Sequence, residues 1–125
     1  CTYCSNKKRA DPGEIPAVER YESERILGVG RRAREEGAGF LILSGKFGLL
    51  KPEQPIPYYD HLLQPAEVDR MAELVANQLK KIGVDRLIYF SAPPETVPEV
   101  RPYFDALQSA CRREKIAMEI RPVNP

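Results

Sequence analysis

Phe40-Leu41-Ile42-Leu43-Ser44-Gly45-Lys46-Phe47-Gly48 is the stretch on which the fold turns. Its first four residues are apolar without a break and read as a strand buried on both faces, with small and polar residues following at once. Such a strand feeds its polar tail into a crevice. In open α/β sheets ligands sit beyond the carboxyl ends of parallel strands, which places Ser44 and Lys46 where chemistry is usually done. The chain just beyond adds Tyr58, Tyr59, Asp60 and His61, the sole histidine.

On the N-terminal side of this stretch, residues 17–36 read as a helix opened by Pro16 and closed by Gly37. Tyr21, Ile26, Leu27 and Val29 give it a partial apolar stripe, which Gly28 and Gly30 weaken. Residues 51–64 form a loop rich in proline. A second helix over residues 65–82 carries Val68, Met71, Leu74, Val75, Leu79 and Ile82 at three- and four-residue steps. Leu87-Ile88-Tyr89-Phe90 is another buried strand, ending in Ser91-Ala92-Pro93-Pro94. A third helix over residues 97–115 bears Val100, Phe104, Leu107 and Cys111 on one side, and residues 116–123 read as a last strand. Thr2-Tyr3-Cys4 is the tail of a first strand. The alternation predicts one α/β domain over residues 1–125, with a mostly parallel sheet of about four strands, right-handed crossovers and helices on both faces. Three polar strand ends, at Cys4-Ser5-Asn6-Lys7, Ser44-Gly45-Lys46 and Ser91-Ala92, would then meet at one rim.

The composition sets the outer bounds. With 125 residues, 42% of them hydrophobic and 30% charged, the chain has the makeup of a soluble globular domain, and no run approaches the length of a membrane span. A cytoplasmic location is expected unless a leader has been removed. A formal net charge of +1 excludes a strongly basic nucleic-acid binder by bulk charge and leaves room for a local patch. Eight basic residues against five acidic ones in the first 34 supply a mild local excess. Three cysteines, Cys1, Cys4 and Cys111, are an odd number in a chain with no secretory segment, so reduced thiols are the default. The chain begins where a strand should already be ending. Either residues precede Cys1 in the natural protein, or processing exposes it.

Each candidate side chain has a chemical and a structural reading. Lys46 follows a serine and a glycine, yet the order of glycines, lysine and Ser/Thr that makes a phosphate loop is absent. Its ammonium could hold an anion or act as base or nucleophile, or it could be a surface lysine on a turn shaped by Gly45 and Gly48. Asp60 and His61 could form an acid/base pair, although adjacent residues rarely point at one another. Asp60 could instead cap the following helix. Tyr58 and Tyr59 offer flat faces to a base or close over the core. Ser5, Asn6 and Lys7 offer an anion backbone amides, a side-chain amide and a cation. Cys4 could serve as a nucleophile beside Lys7 and Lys8, but it reads better as the small buried end of a strand. Cys1 and Cys4 have zinc-type spacing but make only half a site, which Cys111 and His61 would have to complete, and no metal or other cofactor is expected.

Taken together, Cys4-Ser5-Asn6-Lys7-Lys8, Pro16-Ala17, Tyr21, the run from Leu41 through Leu50, and Pro57-Tyr58-Tyr59-Asp60 resemble a family of small bacterial domains of uncharacterised function. That family opens with Cys-Ser-x-x-Lys and continues through Leu-Ser-x-Lys-Tyr-Gly-Leu to a Tyr-Asp pair. The resemblance covers the first half of the chain motif by motif and the second half only in its alternating pattern. The opening is also distantly similar to a cysteine, serine and lysine motif in the archaeosine synthase domain that modifies a deazaguanine base in transfer RNA, and more faintly to the peroxide stress response family. The resemblance implies a uracil-DNA-glycosylase-like three-layer α/β fold and a purine, nucleoside or nucleic-acid ligand. It marks Cys4, Ser5, Lys7, Ser44, Lys46, Gly48, Tyr59 and Asp60 as matching positions. Phe47 stands where the family often has tyrosine. The further tyrosine and serine of the archaeosine motif are missing, which argues against the same lysine-transfer chemistry.

The expectation is therefore an enzyme or enzyme-derived domain that takes a nucleobase, nucleoside or nucleic acid at the strand-end rim. Lys7 and Lys46 would hold phosphate or developing negative charge, and Asp60 would act as general acid/base or hold an amino group of the base. Tyr59 would stack, and Ser5 and Ser44 would donate hydrogen bonds, with Cys4, Asn6, Gly45 and Gly48 completing the binding surface. Cleavage or exchange at a glycosidic bond is the first reaction to consider. The alternative is a non-catalytic nucleic-acid or protein-binding module that keeps the motif for folding.

Overall fold

The computed structural model describes residues 1–125, which divide into two compact units, Cys1–Leu62 and Leu63–Pro125. Both are α/β. The first contains β1 (Thr2–Tyr3), β2 (Ile15–Pro16), α1 (Ala17–Arg20), α2 (Glu24–Glu35), β3 (Ile42–Ser44), β4 (Gly48–Leu50) and β5 (Pro55–Ile56). The second contains α3 (Val68–Ile82), β6 (Arg86–Ser91), α4 (Arg101–Arg113) and β7 (Ala117–Pro122). No helix is long and apolar enough to cross a membrane.

In the first unit the sheet order is β4-β3-β1. β1 runs parallel to β3, with Thr2 opposite Ile42 and Tyr3 opposite Leu43. The Cys4 amide continues that ladder by donating to the Leu43 carbonyl at 2.8 Å. Every residue of β3 is buried, as its apolar run requires, although regular pairing begins only at Ile42, two residues later than the run itself. β4 was not foreseen. Residues 44–48 turn the chain straight back, so that β3 and β4 are antiparallel with Ser44 opposite Gly48. Gly48 has φ +73°, a conformation costly for any residue with a Cβ, and this lets the hairpin close. The strand expected to trail into an open crevice therefore ends in a tight hairpin. Residues 51–64 are likewise not all loop, because β5 pairs antiparallel with β2.

The helix expected over residues 17–36 is two helices. α1 ends at Tyr21, whose ψ of 120° is extended. Tyr21 forms an isolated antiparallel bridge with Lys8, held by Arg9 N–H to the Arg20 carbonyl (2.8 Å) and Glu22 N–H to the Lys7 carbonyl (2.9 Å). These bonds to the segment after β1 outweigh helix continuation. Ser23 then caps α2 by accepting the Ile26 amide at 3.2 Å. Gly30 lies where an added Cβ would come 3.1 Å from the Phe40 ring, so its cost to helix propensity is offset by close packing.

In the second unit β6 and β7 are parallel and in register from Arg86 opposite Ala117 to Ser91 opposite Pro122. α3 packs on α4. Its buried residues are Met71, Ala72, Val75, Ala76 and Leu79, while Leu74 and Ile82 from the expected stripe are exposed. A single 3-10 turn precedes each of these helices, Pro65–Glu67 and Pro98–Val100. The Leu63 amide donates to the Tyr103 hydroxyl at 3.1 Å, tying the start of the unit to α4.

Candidate functional site

Because β1 and β3 are parallel neighbours, the residues that follow each leave the same edge of the first unit's sheet. Cys4-Ser5-Asn6-Lys7-Lys8 and Ser44-Gly45-Lys46-Phe47 are thereby brought together. Arg25, the second residue of α2, fixes the end of β1. Its Nη1 donates to Thr2 Oγ1 and to the Tyr3 carbonyl, both at 2.7 Å, and its Nη2 donates to the Cys4 carbonyl at 3.0 Å. The guanidinium also lies 3.6 Å from the centre of the Tyr3 ring. Nothing in the helical spacing of Arg25 announces this role.

Ser44 is buried, and its hydroxyl is fully used. Oγ accepts the amides of Lys46 (3.1 Å) and Phe47 (3.0 Å), which shapes the hairpin turn. With both lone pairs engaged, its proton must go to the Tyr59 hydroxyl at 2.8 Å. Tyr59 then donates to Tyr21, with which it is in hydrogen-bond contact. A directed chain results, from Ser44 to Tyr59 to Tyr21. Burial pushes both phenols above the ordinary tyrosine range, and charge on the neighbouring Cys4 thiol would push them further. Both are therefore neutral hydrogen-bonding groups at physiological pH.

Tyr59 is only 4% exposed. The Lys8 ammonium lies 4.7 Å from its ring centre, and the rings of Phe47 and Tyr21 meet it edge to face at 5.2 and 6.3 Å. The aromatic surface open to a ligand belongs instead to half-buried Phe47 and to Tyr58, which is 53% exposed. Around this aromatic group stand two lysines without carboxylate partners. Lys8 contacts the Asn6 carbonyl at 3.4 Å and the Tyr21 ring at 5.9 Å, and exposed Lys46 lies 5.5 Å from the Phe47 ring.

The remaining candidates are more scattered. Lys7 is exposed and forms a 3.7 Å ion pair with Glu22, a contact worth little in solvent. Ser5 Oγ donates to the Lys7 carbonyl at 2.6 Å, so it shapes its own turn. Asn6 is exposed, Gly45 and Gly48 are buried, and Cys4 is a buried free thiol. Asp60 is exposed, and no ion pair or hydrogen bond joins Lys7, Lys46 and Asp60. It does not cap a helix; Gln64 takes that place, with its amide donating to Glu67 at 2.9 Å. His61 is half-buried. No three His, Cys, Asp or Glu side chains gather as a metal-binding set.

Sequence reasoning also missed Arg20, which is fully buried. Its guanidinium donates to the carbonyls of Arg9 (2.7 Å), Asp11 (2.9 Å), Gly13 (2.7 Å) and Ile56 (3.2 Å), and so holds the loop after Lys8 against β5. A lone arginine in a charged stretch looks like a solvated one. Comparison of the chain with protein-family models, curated proteins and solved structures gives no match.

Proposed function

We propose that the chain is a cytoplasmic enzyme or enzyme-derived domain of the uracil-DNA-glycosylase-like, three-layer type. In this reading it binds a nucleobase, nucleoside or nucleic acid at the strand-end edge of its first unit. The observation that carries the reading is the pair of lysines without carboxylate partners, Lys8 and Lys46, flanking the Tyr59–Phe47 ring pair. Ammonium groups suit a phosphate, and the partly open Phe47 and Tyr58 rings suit the flat face of a base. Lys8 joins Lys7 and Lys46 in the ligand-holding role because its ammonium lies 4.7 Å from the centre of the Tyr59 ring. Asp60 carries the acid/base role in any reaction, with the glycosidic bond as the target. Ser5, Ser44, Tyr59, Gly45 and Gly48 support the surface from behind.

The test is a thermal-shift panel of nucleosides, nucleotides and short oligonucleotides. A base-bearing ligand should raise the melting temperature of the wild type, and Lys46→Ala should remove most of the rise. If no member of the panel shifts it and Lys46→Ala and Asp60→Ala are equally inert, the reading loses its support.

A second reading is favoured by the complete use of Ser44, the burial of Tyr59 and the positive φ of Gly48. In it the motif serves the hairpin, and the chain is a non-catalytic module that binds nucleic acid or protein through the basic face of α2. A salt-dependent gel shift abolished by changing Arg31, Arg32 and Arg34 together would favour it.

A further inference from the structure

β7 pairs with β6 on one side and with no strand on the other. Which groups it turns outward follows from its register. The Ala117 amide donates to the Asp85 carbonyl at 3.3 Å and the Val123 amide to the Ser91 carbonyl at 3.0 Å. The odd-numbered residues thus direct their main-chain groups at β6, and by alternation Met118, Ile120 and Pro122 direct theirs away. A proline is tolerated at 122 because its missing N–H falls on the outer edge. Ile120 is 45% exposed. On the opposite face of the strand Glu119 and Arg121 carry opposite charges and pair with each other at 2.5 Å, while Arg86 reaches Glu119 at 3.2 Å.

We propose that β7 is a homodimerisation strand, pairing antiparallel with β7 of a second copy about a two-fold axis at Ile120. In that register Ile120 and the partner's Ile120 exchange two hydrogen bonds. Each Met118 amide donates to the carbonyl of Pro122 across the axis, which brings the total to four, and the absent proline N–H ends the ladder. Glu119 stands opposite the partner's Arg121 and Arg121 opposite the partner's Glu119, so both cross-strand charge pairs attract. The other face joins the two exposed isoleucines. The sequence also selects against the neighbouring registers. A shift of two residues one way sets Glu119 against the partner's Glu119, and a shift the other way sets Arg121 against the partner's Arg121. A shift of one turns outward groups toward residues whose groups point inward. The pairing is isologous and consumes the open edge of β7 in each copy, so it closes at two copies instead of growing through this strand.

The test is sedimentation equilibrium of the full chain up to about 1 mM, the affinity expected of a small specific contact. The wild type should show a concentration-dependent monomer–dimer equilibrium, with the amides of Met118 and Ile120 slowing in hydrogen exchange as dimer forms. Glu119→Arg or Arg121→Glu alone turns two attractive pairs repulsive and should weaken the dimer about tenfold. The double exchange restores both pairs and should recover affinity to within a few-fold. Ile120→Pro removes the central outward N–H without touching a bond to β6, and serves if a charge variant fails to fold. A wild type that is monomeric throughout would overturn the proposal. So would a dimer indifferent to the single reversals and to Ile120→Pro, or a double variant as weak as the singles.

Discussion

Tyr59→Phe isolates the hydroxyl chain at the end of β3. The ring stays, so its packing against Phe47 and Tyr21 is kept, and only the oxygen between Ser44 and Tyr21 is removed. Two buried hydrogen bonds go, each worth about 1 kcal/mol net, and the Ser44 proton is left without its acceptor. The expected loss is about 2 kcal/mol, or roughly 8 °C in Tm for a domain of this size, measured by urea and thermal unfolding at neutral pH. The pH dependence gives a sharper check. Folding raises both phenol pKa values above the ordinary value of 10.0, so the folded chain keeps protons that the unfolded chain has released. The stabilisation is complete below pH 10, where both states are protonated, and is lost as pH climbs above it toward the folded values. Each tyrosine contributes up to about 1.4 kcal/mol per pH unit to that loss. Tyr59→Phe should therefore flatten the alkaline fall in stability by one proton's worth. A variant as stable as wild type at pH 7, or one with an unchanged alkaline slope, would refute the buried hydroxyl chain.

Arg20→Met leaves four carbonyls without their donor and should cost at least about 3 kcal/mol by denaturant midpoint, because bonds from a charged donor are individually strong. Gly48→Ala forces a Cβ into the left-handed region and should cost about 1–2 kcal/mol in the same assay. Asp60→Ala and Lys46→Ala remove exposed side chains and should each stay within about 0.5 kcal/mol of wild type; a larger loss from Asp60→Ala would show it holding the loop.

Much of the α/β alternation was legible because long apolar runs and three- to four-residue steps depend on burial alone. β6, α3, α4 and β7 all fall close to where periodicity puts them. Elements set by distant partners were not legible. The break at Tyr21 is imposed by its bridge to Lys8, although Ser23 ahead of Glu24 was a capping signal within reach. β4 is three residues long and reads as a continuation of the motif, with the turn glycines Gly45 and Gly48 the only hint of a reversal. In the site, Ser44 and Lys46 could be singled out by their place after an apolar run, and Tyr59 by its flat ring and by the resemblance. Their division of labour could not, since whether a hydroxyl faces a ligand or a neighbouring amide depends on the turn that follows it. The same holds for Arg20 and Arg25, whose carbonyl partners lie 7 to 36 and 21 to 22 residues away in sequence.

If the paired strand ends of the first unit hold a base-bearing anionic ligand between Lys8 and Lys46, as proposed, the amide resonances of the protein will report it during titration with nucleoside monophosphates and a short single-stranded RNA. Saturable shifts should be confined to residues 5–8, 45–47 and 58–60 and be weakened about tenfold by Lys8→Ala or Lys46→Ala, as loss of one charge-assisted contact requires. Shifts that cluster elsewhere, or none at millimolar ligand, would contradict it.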